Sequence, residues 1–459
     1  MNEAVVSKLS NEFQAKYHKS FRWAFIGSLI YEITKTLHNF FLVKLMIPQD
    51  YGIISSCLAF TYFLTKLADL GASTSLLPFF GLIVQSKQNF KNLIFNHYLL
   101  PHLPLTFFIV LATTFLLRQT NIPQAISWNM LCLIALIVII ETVRSFLRLF
   151  MYTALQTKAV ACLEVSTYLG FVLSVWTPYL ILKMPLSFKS VLMPHLIEST
   201  ASVIILTIFL IQFYRKLPSK HQSVPSNIST RMFKTKALNY ILRLSREFFS
   251  THFLTPFFAF RFGLEYAGIF YFSSVIAHSI QSIFKVSVGY MGNALFATLK
   301  NESSSDKQLA FSILCHKMSR IIIPITIFLL INLNKLLKLA RVKDISKIAL
   351  ILPLLFLFIL IIDFTMSLYE QLYVAEEKTE NFLGFKIFEF LLFIALIKFT
   401  SAQTPISIFL VGIILIKTLC FMLISLNAFK IWKVTPKFNA SIRQITIYVV
   451  ISLFLSLAL

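Results

Sequence analysis

Apolar runs of about 20 residues recur along this chain, and they constrain its fold more than any other feature. Such a run crosses a hydrocarbon core of about 30 Å as an α-helix, since each helical residue rises about 1.5 Å. The composition agrees, because 57% of the 459 residues are hydrophobic and 13% are charged. A helix satisfies its own backbone hydrogen bonds in lipid. The sequence therefore predicts an all-α, multi-pass membrane protein without a sizeable soluble domain.

About twelve predicted spans cover most of the chain. They lie near residues 21–46, 52–77, 93–117, 126–151, 159–182, 190–214, 237–260, 265–292, 309–333, 346–373, 380–399 and 405–429. The apolar residues 445–459 are short for a span, and they form either a thirteenth helix or an interfacial one. The prediction is thus twelve transmembrane helices, or thirteen if the C-terminal stretch also crosses.

A repeat relates the two halves of the chain. LVKLMIPQDYGIISSCLAF, from Leu42, is similar to FFAFRFGLEYAGIFYFSSVI, from Phe257. Both copies place an acidic residue, a tyrosine and a glycine at a predicted short turn, where glycine permits backbone conformations that other residues resist. Each half has an even number of helices, so the copies share one orientation. This pattern predicts two six-helix lobes related by a parallel repeat about the membrane normal.

The polar, basic segment before residue 237 separates these lobes. The predicted domains are an N-terminal tail 1–20, an N-lobe 21–214, a basic linker 215–236, a C-lobe 237–430, and a basic segment with an apolar helix at 431–459. Lys and Arg favour the loops on the side of the N-terminus, which places the tail and the linker in the cytoplasm. The tail lacks the apolar region of a signal peptide, so insertion of the whole chain into the membrane is expected.

Several kinds of site are not predicted. The five cysteines lie inside apolar spans without paired spacing, so neither a disulfide framework nor a thiolate metal site is expected. No G-x-x-x-x-G-K-[ST] motif occurs, so the chain is not its own ATPase. We expect no cofactor, no metal and no nucleic-acid partner. An ion gradient or the gradient of the substrate itself would then drive any transport.

Charged side chains inside the spans are the candidate functional residues, since each costs several kcal/mol at membrane depth unless it pairs, snorkels or faces water. Opposite charges stand three residues apart, on one helix face, at Glu32 and Lys35, Lys66 and Asp69, Glu141 and Arg144, and Lys386 and Glu389. His195 and Glu198 also share a helix face, but that pair is expected to be structural or solvated.

Two interpretations of the basic residues stay open. They snorkel to the cytoplasmic headgroups, or a subset lines a cationic cavity that loads an anionic substrate. Arg144 and Arg148 lead the second interpretation, because a guanidinium stays charged and grips phosphate oxygens through a planar fork. The candidate substrate-binding residues are Arg144, Arg148, Lys35, Lys66, Arg243 and Arg246. The candidates for ion coupling or charge pairing are Glu32, Asp69, Glu141, Glu164 and Asp363.

One stretch resembles a known family. PQDYGIISSCLAFTYFLTKLADLGASTSLL, from Pro48, is similar to the signature of polysaccharide-export and O-antigen flippases of the MOP superfamily, in which a P-x-x-Y-G turn leads into a helix ending in ADLG. The ALQTK turn from Ala154 and the two-lobe plan agree with it. The resemblance implies a flippase that moves a polyprenyl-diphosphate-linked oligosaccharide, such as an O-antigen unit, between leaflets by alternating access.

The resemblance also implies partners: the lipid-linked oligosaccharide, membrane lipids, a proton or sodium ion, and the polysaccharide polymerase and glycosyltransferases of the same pathway. A cation-coupled exporter of small molecules is the alternative, and it predicts one dominant acidic site and a cavity poor in arginine. A membrane glycosyltransferase or polymerase usually needs a sizeable extracytoplasmic loop with catalytic residues. The longest segment outside the predicted spans is the linker, so an enzyme is not expected.

Overall fold

The computed structural model is helical, and the residues that it describes include no strand. The described residues are 11–69, 83–94, 104, 106–108, 110–111, 128–154, 156–219, 228–275, 279, 303–339, 362–363, 365–374, 376, 378–400 and 404–436. The longer helices in this part of the chain include α1 Asn11–Leu45, α2 Pro48–Ala68, α3 Trp128–Thr153, α4 Thr157–Leu182, α5 Phe188–Lys216, α6 Ile228–Glu247, α7 Thr251–Phe262, α8 Ser304–Leu339, α9 Thr379–Phe399 and α10 Ile406–Trp432. The all-α prediction is confirmed.

Five helices, α3, α4, α5, α9 and α10, lie within a few residues of their predicted spans. The helices α2, α4, α5 and α10 each contain a stretch long and apolar enough to cross a membrane. Most of the predicted spans 93–117 and 346–373, and all of 445–459, lie outside the described residues. The described residues therefore support a membrane protein with several spanning helices. The predicted number of twelve or thirteen spans stays a prediction.

The predicted span 237–260 is two helices. Between α6 and α7, the Ser250 hydroxyl and backbone N–H both donate to the Glu247 carbonyl, at 2.7 and 3.0 Å. The Ser250 carbonyl then accepts from the backbone N–H groups of Phe253 and Leu254. Serine competes in this way for helical hydrogen bonds. Apolar patterning does not reveal such a break, because the side chains on both sides of it are apolar.

The predicted Asp50-Tyr51-Gly52 turn is instead the first turn of α2, which begins at Pro48. Proline suits a first helical position, where its missing N–H has no intrahelical partner to lose. Among the described glycines, the positive φ belongs to Gly263, at 105°. The conformational freedom expected of Gly52 is therefore used at Gly263, which lies inside the second copy of the repeat, two residues before Glu265.

The contacts of the chain form two compact units. Residues Met1–Pro48 and Ile269–Leu459 form one unit, and Gln49–Gly268 form the other. These units follow contacts, whereas the lobes 21–214 and 237–430 follow a sequence repeat. The lobe boundaries stay a prediction.

Inside the unit Gln49–Gly268, a hydrophobic core joins α3 to α5 and to residues 83–94. The Phe90 ring packs edge-on to Phe150, with the ring centroids 5.6 Å apart, and Phe150 packs in the same way on Phe213. Leu206 and Leu210 of α5 complete this core. Aromatic packing of this kind fixes α3 against α5. It thereby sets which polar side chains of the two helices face each other further along.

Inside the other unit, residues 365–374 pack on α8 and α10. The Tyr369 ring lies 4.8 Å from Phe311, and its hydroxyl contacts Ser425 at 2.9 Å. The Tyr373 hydroxyl donates to Asn427 Oδ1 at 2.5 Å. Each buried ring thus has a polar partner for its hydroxyl, as buried tyrosines require.

Candidate functional site

Five side chains of α3 and α5 form a group that we name the buried ion cluster. Its members are Glu141, Arg144, His195, Glu198 and Ser199, and all five are buried. Arg144 Nη1 donates to Glu141 Oε1 at 2.8 Å and to Glu198 Oε2 at 3.0 Å, while Nη2 lies 2.6 Å from Glu198 Oε1. The Ser199 hydroxyl donates to Glu141. One guanidinium thus holds two carboxylates from two helices.

His195 lies one helical turn before Glu198 and completes the cluster. Its Nδ1 is 3.3 Å from Glu198 Oε2. Its ring packs between Tyr62 of α2 and Phe171 of α4, at centroid distances of 6.0 and 5.7 Å. Nε2 is buried and has no hydrogen-bond partner among the described residues. The imidazole therefore contacts the Glu198 carboxylate through Nδ1, while its ring packs against two aromatic side chains.

A metal ion is a less suitable occupant of this cluster than its residue types suggest. Ligand atoms of Glu141, His195 and Glu198 lie within 4.8 Å of one another. The guanidinium of Arg144 already contacts both carboxylates at hydrogen-bond distance. A bound metal cation would have to displace it or share the carboxylates at a short cation–cation distance. We therefore treat the group as an ion-paired cluster.

A second group, which we name the basic group, lies at the C-terminal end of α2. Its members are Lys66, Asp69, Arg148, Glu164 and Arg243. Arg243 Nη1 binds Asp69 Oδ2, so Asp69 has a partner on α6 in addition to its interaction with the charge of Lys66. Arg148 Nη1 donates to Glu164 Oε1 at 2.9 Å. The charge of Lys66 interacts with Arg243, Arg148 and Asp69.

The three predicted arginines with described side chains differ in accessibility. The side chain of Arg148 is 46% exposed, against 12% for Arg243 and 9% for Arg144. Nearly half of the Arg148 side chain is exposed, whereas Arg144 is buried between two carboxylates. Arg246 lies in α6, but its side chain is outside the described residues. Arg148 is thus the most exposed of these three arginines.

The remaining predicted residues lie in the other unit and form pairs. Lys35 Nζ is 3.2 Å from Glu32 Oε2, Lys386 Nζ is 2.6 Å from Glu389 Oε2, and Lys417 Nζ is 2.5 Å from Asp363 Oδ1. The side chain of Lys35 is 22% exposed. The charge of Glu389 also interacts with Lys417. We name Asp363, Lys386, Glu389 and Lys417 the neutral quartet.

Known proteins resemble the chain in structure and not in sequence. No sequence-family profile and no curated protein sequence matches it. A MATE transporter in complex with MaL6 superposes with a TM-score of 0.60 at 14% identity, covering 88% of this chain and 94% of that one. The lipid II flippase MurJ in an inward closed conformation gives a TM-score of 0.61 at 13% identity, covering 94% and 91%. The chain has the MOP-transporter fold.

A third solved structure extends this likeness. A MOP-superfamily transporter from Pyrococcus furiosus, with a binding pocket described as reversed in polarity, superposes with a TM-score of 0.54 at 12% identity, covering 90% and 96%. Identities this low establish the MOP fold alone. The fold predicted from the sequence is confirmed, and the matched proteins are transporters and a flippase rather than enzymes. The cargo depends on side chains, which the fold does not set.

Proposed function

We propose that the protein is a MOP-type flippase that moves a polyprenyl-diphosphate-linked oligosaccharide across the bacterial inner membrane. The observation that carries this proposal is the half-exposed Arg148 in the basic group with Lys66 and Arg243. A diphosphate presents several anionic oxygens close together. A half-exposed guanidinium beside two further cations suits such a group, because charge-assisted hydrogen bonds to phosphate are short and strong.

The carboxylates of the basic group support the same assignment. Glu164 accepts from Arg148 and also from the Tyr152 hydroxyl at 2.7 Å, while Asp69 holds Arg243. These contacts fix the two arginines before a ligand arrives, which lowers the ordering cost of binding. Two neighbours outside the basic group, Lys236 and Glu247, also interact with its charges. Together with them, the described side chains at this place include four basic and three acidic ones.

The fold supports transport, and two cargo classes are represented among its matches. One match is the lipid II flippase MurJ, and another is a multidrug resistance transporter of the MATE family. The sequence from Pro48 to Leu77 adds the resemblance to O-antigen flippases. In the proposed cycle the basic group takes the diphosphate, the protein changes the side of the membrane to which the group is accessible, and the lipid tail stays in the bilayer.

Removing the exposed arginine should slow lipid transport. We expect Arg148→Ala combined with Glu164→Gln to lower the initial flipping rate at least about tenfold, since hydrogen bonds to charged groups contribute about 1.5–3 kcal/mol each. The second substitution removes the carboxylate that would otherwise lose its partner. The assay uses proteoliposomes, a polyprenyl-diphosphate oligosaccharide with a fluorescent sugar, and leaflet-selective quenching.

Two variants serve as controls for this assay. Arg215→Ala removes an exposed basic residue from the last turn of α5 and should leave the rate unchanged. Arg148→Lys with wild-type Glu164 keeps the charge but not the planar fork, so it should fall between the wild type and the double variant. A double variant that flips the lipid as fast as Arg215→Ala would rule out the basic group as the loading site.

A cation-coupled small-molecule exporter is the second candidate, and the MATE matches favour it. It predicts movement of small organic cations and none of the diphosphate lipid. The same proteoliposomes, loaded with a fluorescent organic cation, separate the two cargoes.

A further inference from the structure

We propose that a row of aromatic rings along α7 holds the polyprenyl chain of the cargo while the basic group holds its diphosphate. The inference deepens the function proposed above and rests on it. The row, which we name the aromatic ladder, consists of Phe63 of α2, Phe248 in the break between α6 and α7, and Phe253 and Phe257 of α7. These residues all lie inside the unit Gln49–Gly268.

Each ring of the aromatic ladder contacts the next one. The Phe63 ring centroid lies 5.8 Å from that of Phe248 and 5.3 Å from that of Phe253. The Phe253 centroid is 4.9 Å from that of Phe248, and Phe253 stacks on Phe257 at 6.1 Å with 19° between the ring planes. Phe248, Phe253 and Phe257 are partly exposed, whereas Phe63 is 9% exposed. The ladder is therefore a continuous and partly accessible aromatic surface.

The break between the two helices builds this surface. On one continuous helix, residues five apart point about 140° away from each other, so the rings of Phe248 and Phe253 would diverge. The break at Ser250 instead brings these two rings into contact. Phe253 and Phe257 then follow at i, i+4 spacing on one face of α7. The break thus joins the Phe248 ring to the face of α7 that carries the other two.

The ladder begins where the basic group ends. Lys66 lies three residues after Phe63 on α2, so these two side chains share a helix face. Glu247, whose charge interacts with Lys66, directly precedes Phe248. A ligand whose anionic head lies at the basic group therefore has the part next to its head beside these rings.

The chemistry of the ladder favours an apolar chain over two other classes of ligand. Sugar hydroxyls need hydrogen-bond partners, and a phenylalanine side chain has neither donor nor acceptor. Aromatic faces attract organic cations, but cations already stand at both ends of the ladder. The basic group lies at one end, and at the other the Arg261 guanidinium carbon lies 5.8 Å from the Phe257 centroid. An isoprenoid chain is uncharged, and its methyl and alkene groups gain dispersion contacts on the ring faces.

The diphosphate decides which chain occupies the ladder. Lipid acyl chains compete for the same surface, because they are as apolar as a prenyl chain. A prenyl chain gains an advantage when its own diphosphate is bound, since the bound head raises the effective concentration of the chain beside the rings. The ladder should therefore strengthen the binding of polyprenyl diphosphate, and not that of inorganic diphosphate or of free polyprenol.

Binding to the protein in phospholipid nanodiscs tests this proposal. The probes are a fluorescent long-chain polyprenyl diphosphate without sugar and, separately, inorganic diphosphate. We expect Phe253→Ala/Phe257→Ala to bind the lipid about tenfold more weakly than the wild type and to bind inorganic diphosphate equally well. The matched control Phe388→Ala/Leu391→Ala removes two side chains of α9 that are 40% and 56% exposed, and it should change neither affinity. Equal lipid binding by the ladder variant and the control would overturn the proposal.

A second measurement uses the wild type and does not depend on the folding of a variant. A polyprenyl diphosphate that carries a diazirine close to its head should label residues 248–262 more than residues 379–399. An excess of unlabelled polyprenyl diphosphate should remove this labelling. Equal labelling of both ranges would overturn the proposal. A fluorescent organic cation whose binding requires Phe253 and Phe257 would assign the ladder to the cargo of an exporter instead.

Failure of the ladder and failure of the proposed function give different results. A wild type that flips the lipid, with flipping and binding unchanged in Phe253→Ala/Phe257→Ala, keeps the function and rejects the ladder. A wild type whose lipid binding depends on these rings but which moves no lipid supports the ladder and rejects transport of this cargo. A wild type that binds neither polyprenyl diphosphate nor inorganic diphosphate overturns both.

Discussion

Replacing Arg144 by methionine is expected to lower the free energy of unfolding by about 3–5 kcal/mol, because removal of one partner leaves buried charges without compensation. Its guanidinium nitrogens lie 2.6–3.0 Å from carboxylate oxygens of both Glu141 and Glu198. Methionine keeps much of the volume and loses the charge. The measurement is denaturant or thermal unfolding of the purified protein in detergent micelles, followed by circular dichroism.

A matched variant separates lost pairing from lost packing. Adding Glu141→Gln and Glu198→Gln to Arg144→Met removes both orphaned charges while preserving side-chain shape, so most of the stability should return. Arg148→Met removes an arginine one turn further along α3 whose side chain is 46% exposed, and it should cost about 1 kcal/mol or less. A triple variant as unstable as the single one would show that packing, rather than charge, accounts for the role of Arg144.

Local spacing was enough to predict part of this chemistry. Residues three apart on a helix share a face, and the structure confirms the pairs Glu141 with Arg144 and Lys386 with Glu389. Sequence reasoning found Glu141–Arg144 and His195–Glu198 separately and expected the second to be structural. The two pairs form one cluster because α3 packs against α5 at a particular register. The sequence alone does not specify that register, since the packing faces of both helices are bulky and apolar. The signal was present as two polar i, i+3 pairs on otherwise apolar helices.

Ion pairs between residues far apart in the sequence were not predictable from local spacing either. Asp69 binds Arg243 of α6 as well as interacting with the charge of Lys66, and Lys417 binds Asp363 from 54 residues away. Apolar length predicted the helices well, because the cost of an unsatisfied backbone in lipid leaves few alternatives. Side-chain partners are less constrained, since several basic residues compete for each carboxylate. The fold was therefore predictable where the site was only partly so.

Substituting Gly52 by alanine is expected to destabilise the protein by about 3 kcal/mol, at the upper end of what overpacking usually costs. A Cβ at Gly52 would lie 2.1 Å from the carbonyl oxygen of Leu264 and 2.7 Å from its carbonyl carbon. Backbone atoms cannot rotate away as a side chain can, so α2 and the backbone at Leu264 would have to move apart. Unfolding in detergent micelles measures the loss.

The two copies of the repeat meet at this contact, which gives their glycines a reason other than turn formation. Gly268 of the second copy approaches Gly52 in return, and a Cβ there would lie 3.1 Å from Tyr51 Cδ1 and 3.4 Å from the Gly52 backbone. Gly268→Ala should therefore cost less than Gly52→Ala, because the nearest atom is in a side chain. Gly170→Ala in α4 has open space and should be neutral or stabilising by up to about 1 kcal/mol through helix propensity. Equal stability of the Gly52 and Gly170 variants would show that the helices separate there without cost.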